Sequence, residues 1–224
     1  MDATGAHAEA CMAGGDKTIS HNVTRDNLYN QSKAAAWGPV LEAVRVLEGG
    51  GRVATARELR RRPADVLLCS AGQIRTGGGV SGSLARVALD VGIICPQAAV
   101  HRRNAAAESL GAAEQYAVEK CGRDATERRC REAGVSFQPM IFESLGGVSS
   151  EAERVIKALN KAVAERNNEN SSLVARRFWQ RLSIDLQRAG HSAWARRVGE
   201  PSVGGSDGLG WLLSCAVGLE PAAS

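Results

Sequence analysis

Between Leu28 and Leu47 the apolar positions Leu28, Ala35, Val40, Leu41, Val44 and Leu47 follow a mainly helical spacing. Thr24 stands where a cap belongs, Asp26 suits the first turn, and Gly49-Gly50-Gly51 ends the pattern. Pro39 lies inside it and predicts a kink or a division of the helix. Two apolar runs of strand length come next. Val66-Leu67-Leu68-Cys69 is short, and Val87 to Cys95 is nearly continuous, the signature of a strand covered on both faces. Between them Gly72 to Gly82 holds five glycines in eleven residues and reads as a loop. Residues 104–133 are Ala- and Glu-rich and predict helix, weakened at Gly111 and Gly122. Val135 to Ser144 predicts a third strand, which Pro139 assigns to an edge or a bulge.

Two helices close the pattern. Ser149 or Ser150 caps one that runs to about Glu165, with Val155, Ile156, Leu159 and Val163 on one face. The other spans about Ser172 to Val198, with Leu173, Val174, Phe178, Leu182 and Leu186 inward and an arginine stripe outward, more a solvated face than a nucleic-acid surface. The order helix, strand, strand, helix, strand, helix, helix predicts an α/β fold, with α+β as the alternative, built on a small mixed central sheet flanked by helices. Residues 1–22 read as an irregular Cys/His segment, 23–198 as the folded domain, and 199–224 as a poorly ordered tail.

Composition narrows the class. A chain of 224 residues with 44% hydrophobic and 23% charged residues has the make-up of a soluble globular protein with one core. No run of 18 apolar residues occurs, and residues 1–20 lack the basic start and apolar stretch of a secretion signal, so no membrane role is expected. The six cysteines form no C-x-x-C pair, which fits a reducing, intracellular compartment better than a disulfide framework. With 28 basic and 24 acidic residues the net charge of +4 permits a polyanionic partner without demanding one. No phosphate-cradling G-x-x-x-x-G-K-[ST], nucleophile-elbow G-x-S-x-G or metalloprotease H-E-x-x-H pattern occurs, so neither a nucleotide cofactor nor serine-hydrolase chemistry is expected.

Hydrolysis of a phosphodiester with a bound divalent cation needs two or three carboxylates at one point and a cation to steady water or phosphate charge. Asp65 stands before one predicted strand, Asp90 lies within the other, and Glu42 lies on the helix that precedes both. Asp90 is the most informative, because a carboxylate among Val-Ala-Leu and Val-Gly-Ile-Ile is costly to bury unless paired, hydrogen-bonded or metal-bound. The plainer alternatives are a solvent-facing strand position for Asp90, an ordinary turn for Asp65 and a solvated helix position for Glu42. Arg57, Arg60, Arg61 and Arg62 adjoin Asp65 and suit nonspecific phosphate contacts, or else form a solvated loop. The spacing His7-x3-Cys11-x9-His21 is that of half a zinc site.

RPADVLL (62–68) and ALDVGI (88–93), in that order, resemble the signature of the restriction-like endonuclease domain of non-LTR retrotransposon (reverse transcriptase) polyproteins, part of the PD-(D/E)XK superfamily. The segments GAHAEAC (5–11), HNVTRDNLY (21–29), QYAVEK (115–120) and CREAGVSFQPMIFESLGG (130–147) extend the resemblance over most of the chain. It implies a Mg2+- or Mn2+-dependent DNA endonuclease acting in the nucleus, with Asp65 and Asp90 as metal ligands, Glu42 as the helix carboxylate, Lys120 as catalytic lysine and Glu143 in a supporting position. The superfamily's usual lysine falls two residues after the second carboxylate, where this chain has Gly92, so Lys120 on the following helix takes that part. His7, Cys11 and His21 resemble the end of a Zn2+ knuckle whose upstream cysteines this chain does not contain. Two further readings stay open: a catalytically inactive nucleic-acid-binding remnant of a mobile element, and a helical interaction module in which the two aspartates are incidental.

Overall fold

β3 (Arg86–Ile94) is the strand about which the other elements assemble. The computed structural model describes residues 16–48, 55–56, 62–70, 86–144 and 146–198. Along β3 the side chains alternate between two covered faces. Val87, Leu89 and Val91 pack into one core with Leu28, Phe142, Ile156, Leu159, Phe178 and Leu182. Ala88 and Ile94 turn to the other side, to Phe137 and Cys130 and to Ala113 and Ile141 respectively. Burial on both faces is what the near-continuous apolar run predicts. Asp90 and Gly92 fall on the same face as Ala88 and Ile94, since successive strand residues point to opposite sides.

The sheet has four strands in the order β1-β2-β3-β4, with β1 Pro39–Leu41, β2 Val66–Leu68 and β4 Val135–Glu143. β1 pairs with β2 and β2 with β3 antiparallel, whereas β3 and β4 run parallel over nine residue pairs, from Arg86 with Val135 to Ile94 with Glu143. The mixed sheet flanked by helices is the architecture the pattern predicts. Pro139 lies within β4, and β4 is an edge strand, where a missing N–H is tolerated.

Helix α1 (Asp16–Ala34) departs most from the sequence reading. It begins inside the segment read as irregular and ends eight residues before Glu42, which follows an edge strand instead of lying on a helix. Ala36 and Gly38 take left-handed backbone angles (φ 59° and 56°) that stop the helix, and Pro39 opens β1. What holds α1 is tertiary. Asn27 donates to Asp185 (2.9 Å) and accepts from Arg181 (2.8 Å), while Gln31 donates to Asn160 (2.7 Å), so a polar ladder ties α1 to the last two helices. Arg181 is an exposed residue whose guanidinium nevertheless reaches back to α1.

The predicted helix over 104–133 is three short ones, α2 (Arg102–Ala107), α3 (Gly111–Gly122) and α4 (Thr126–Glu132), with a 3-10 turn at Arg123–Ala125. Left-handed residues break it at Leu110, Asp124 and Ala125, so the crossover from β3 to β4 can follow the sheet face. α5 (Ser150–Asn167) is capped as predicted, Ser149 accepting from the Ala152 N–H, and Glu114 also accepts from the Ser150 N–H at 2.6 Å. α6 (Ser171–Val198) buries Val174, Phe178 and Leu182, but Leu173 is exposed. None of the described helices is long and apolar enough to cross a membrane.

Phe178 is 1% exposed in the main core. Its truncation to alanine is expected to lower the unfolding free energy by about 3–5 kcal/mol in urea denaturation, the cost of a large aromatic cavity; a loss below about 1 kcal/mol would mean that α6 is not part of the cooperative core.

Candidate active site

The ladder between β2 and β3 ends at Val66 and Leu89, two residues short of Val91. Val91 is buried, and its N–H and C=O cannot go unpaired without cost. Two side chains meet that need. The Asp65 carboxylate accepts from the Val91 N–H at 2.7 Å, and the Lys120 ammonium donates to the Val91 carbonyl at 2.9 Å. Lys120 also donates to Asp90 Oδ1 at 2.8 Å. Three of the residues singled out from sequence are thus gathered around the backbone of one residue of β3.

Each is positioned by backbone. The Asp65 N–H donates to the Leu89 carbonyl and its own carbonyl accepts from the Glu42 N–H, both at 2.9 Å, so the residue is pinned between β3 and the end of β1. Lys120 sits in the last turn of α3, and Gly92 makes room for it. A Cβ built at Gly92 would lie 2.9 Å from Ile141 Cδ1, 3.1 Å from Tyr116 Cε1 and 3.3 Å from Lys120 Cε. The space beside Gly92 is therefore occupied by side chains arriving from α3 and β4. Gly92 and Lys120 are complementary, one supplying the space and the other the cation.

His21, on α1, is drawn to Asp65, with its Nε2 3.3 Å from Oδ1. Its partners in the expected zinc set, His7 and Cys11, lie outside the described residues, as do Arg57, Arg60 and Arg61. Glu42 is half exposed, its two carboxylate oxygens taken by Arg25 (2.9 Å) and Arg62 (2.8 Å), so its side chain joins the site through arginines, and its contact with Asp65 is the backbone hydrogen bond alone. Among the described residues no group of three or more His, Cys, Asp or Glu side chains is arranged to hold a metal ion. Glu143 is buried at the end of β4 beside Gly147, apart from the aspartates.

Opposed forces act on the two carboxyls. Burial pushes Asp65 up, but the hydrogen bond and charge of His21, the Val91 N–H and the Lys120 ammonium outweigh it and hold the group below the ordinary carboxylate range. Burial dominates at Asp90 and raises it despite Lys120, with the nearby Asp65 charge adding to the rise. A pair of acids driven in opposite directions is a common property of sites that handle protons.

Beside Asp90 opens a cavity of about 300 Å³ lined by Arg62, Pro63, Asp90, Lys120, Arg123 and Thr126. Arg123 and Thr126 carried no signal in the sequence, because they reach the cavity only through the turn between α3 and α4. Arg25 was equally illegible, its role depending on how α1 lies against β1. No protein-family model matches the chain, and none of the curated proteins is significantly similar to it.

Two outcomes follow. Gly92→Ala is expected to cost about 1–3 kcal/mol by overpacking, whereas Gly190→Ala on α6, where an added Cβ meets nothing within 4 Å, should gain about 0.5–1 kcal/mol; equal stability of the two variants in urea titrations would show that the space at Gly92 is not needed. Since the Asp65 carboxyl lies lower folded than unfolded, its charged form stabilises the fold above the ordinary value of 3.8, and that contribution is lost as pH falls through the folded value. The melting-temperature gap between the wild type and Asp65→Asn should therefore be open at about pH 7 and close below 3.8; a gap that is independent of pH would contradict the assignment.

Proposed function

We propose that the chain is the core of a PD-(D/E)XK-type, metal-dependent DNA endonuclease derived from a retrotransposon polyprotein. The observation that carries this reading is the convergence of Asp65, Asp90 and Lys120 on Val91. A structural ion pair would need only one of the acids. Two carboxylates of opposite titration behaviour, a lysine held by both a carboxylate and a backbone carbonyl, and a cavity lined by three cations form a set suited to phosphodiester hydrolysis.

The donors fit a hard divalent cation. Asp65 and Asp90 offer carboxylate oxygens, each with lone pairs beyond those its present hydrogen bonds use, and oxygen is what Mg2+ or Mn2+ takes. The two aspartates would hold the ion; when bound it would polarise a phosphoryl oxygen and lower the pKa of attacking water. Of the chain's own groups, Lys120 fixes Asp90 and supplies positive charge beside the phosphate. His21 holds Asp65 in its ionised form, and Arg62, steadied by Glu42, faces the cavity. Glu42, neutralised by Arg25 and Arg62, orients those arginines and is not required as a ligand. That same neutralisation favours a second reading, a DNA-binding remnant that keeps the fold and the cationic wall but no longer cuts.

Purified chain is expected to nick supercoiled plasmid only with Mg2+ or Mn2+, and Asp90→Ala and Lys120→Ala should each reduce the rate by at least about 100-fold. Folded wild type that binds DNA but does not nick with either ion would select the remnant; nicking that survives Asp90→Ala would exclude this site as the catalytic one.

A further inference from the structure

The turn that joins α3 to α4 is strained at two successive non-glycine residues, Asp124 and Ala125, both with φ of 53°. Left-handed backbone at a residue with a Cβ is unfavourable, and two in succession persist only where surrounding contacts impose them. Their effect is to bring Arg123 and Thr126, three residues apart, onto the same cavity wall. The Thr126 hydroxyl donates to the Arg123 carbonyl at 2.6 Å and closes the turn. Arg123 lies 6.0 Å from the centre of the Tyr116 ring, as does the Lys120 ammonium, so one aromatic side chain flanks both cations.

Charge around the cavity is unbalanced. Arg62, Lys120 and Arg123 face it with a single carboxylate, Asp90, and that carboxylate is already matched by Lys120. Arg62 is matched by Glu42, which it shares with Arg25. Arg123 makes no ion pair among the described residues, and its guanidinium is a planar fork suited to two oxygens of a phosphate. A cavity of about 300 Å³ accommodates one phosphodiester group with its flanking sugar atoms.

We infer that Arg123, presented by the strained turn and assisted by Thr126, is a substrate-contacting residue that grips a backbone phosphate of duplex DNA beside Asp90. This rests on the nuclease reading only for the identity of the anion. Arg123 would then set affinity and the position of the strand, not base preference, because phosphate contacts carry no sequence information. Arg62 also lines the cavity.

Fluorescence anisotropy of a labelled 20-base-pair duplex, in EDTA and across a series of salt concentrations, tests this with the full chain. Arg123→Ala should weaken binding about tenfold for unrelated sequences and flatten the log K against log salt slope by about one, while Arg128→Ala, an exposed arginine on α4 outside the cavity lining, leaves both unchanged. Thermal melts of Arg123→Ala matching the wild type would exclude a folding defect, and Arg123→Lys should recover the slope but only part of the affinity. An Arg123→Ala protein with wild-type affinity and slope, or a wild type that does not bind the duplex, overturns the inference. A wild type that binds with an Arg123-dependent slope yet fails to nick with Mg2+ or Mn2+ leaves the phosphate site standing and removes the nuclease reading; nicking by both proteins at equal rate and affinity does the reverse.

Discussion

Everything about the site depends on the early end of one hydrogen-bond ladder. Because β2 starts only at Val66, the Val91 peptide on β3 lies beyond its neighbour strand, yet it is buried and must be satisfied. Side chains do what backbone elsewhere does. Asp65, the residue just before β2, takes the N–H, and Lys120, from the crossover helix, takes the carbonyl. A sheet that frays in its interior is a place where polar chemistry is structurally required, and here it collects the largely buried Lys120–Asp90 pair.

The electrostatics follow from that arrangement. Lys120 is only 12% exposed, and a buried ammonium is tolerable only with hydrogen bonds to a carboxylate and a carbonyl, both of which it has. Asp90 gains the same cation but loses more to burial, whereas Asp65, with an N–H, an imidazole and a more distant ammonium, keeps its charge with less cost. The difference between two aspartates in one site is thus a difference in donors. Further out, Glu42 bridges Arg25 and Arg62 and so links α1 to the cavity rim.

Gly92 shows how steric and electrostatic constraints meet. On the covered α3 face of β3 the residues read Ala88, Asp90, Gly92, Ile94, small or polar until the last. The absence of a Cβ at Gly92 leaves space for Ile141, Tyr116 and Lys120 to pack closely against the strand, so a side chain placed there would crowd the lysine arriving from the helix. Gly92, which in sequence is only a small residue within an apolar strand, lies in three dimensions where the Tyr116 and Lys120 side chains approach β3 on the way to Asp90.

Hydrophobic patterning by itself determined β2, β3, β4, α5 and α6 to within a few residues, along with the mixed sheet, because continuous apolar runs and 3.6-residue periodicity are local consequences of burial. Asp90 was legible for the same reason, as a charge interrupting an apolar strand. Tertiary structure alone decided that α1 ends at Ala34 and that Glu42 follows a strand, since a polar ladder to Asn160, Arg181 and Asp185 holds a helix with little apolar periodicity of its own. It also decided that the helix over 104–133, weakened in sequence at Gly111 and Gly122, breaks beside those glycines at the left-handed residues Leu110, Asp124 and Ala125, which put Arg123 and Thr126 at the cavity. Local patterns report which faces of an element are buried; which distant side chains meet at the unpaired backbone groups of one residue is set only when the elements pack.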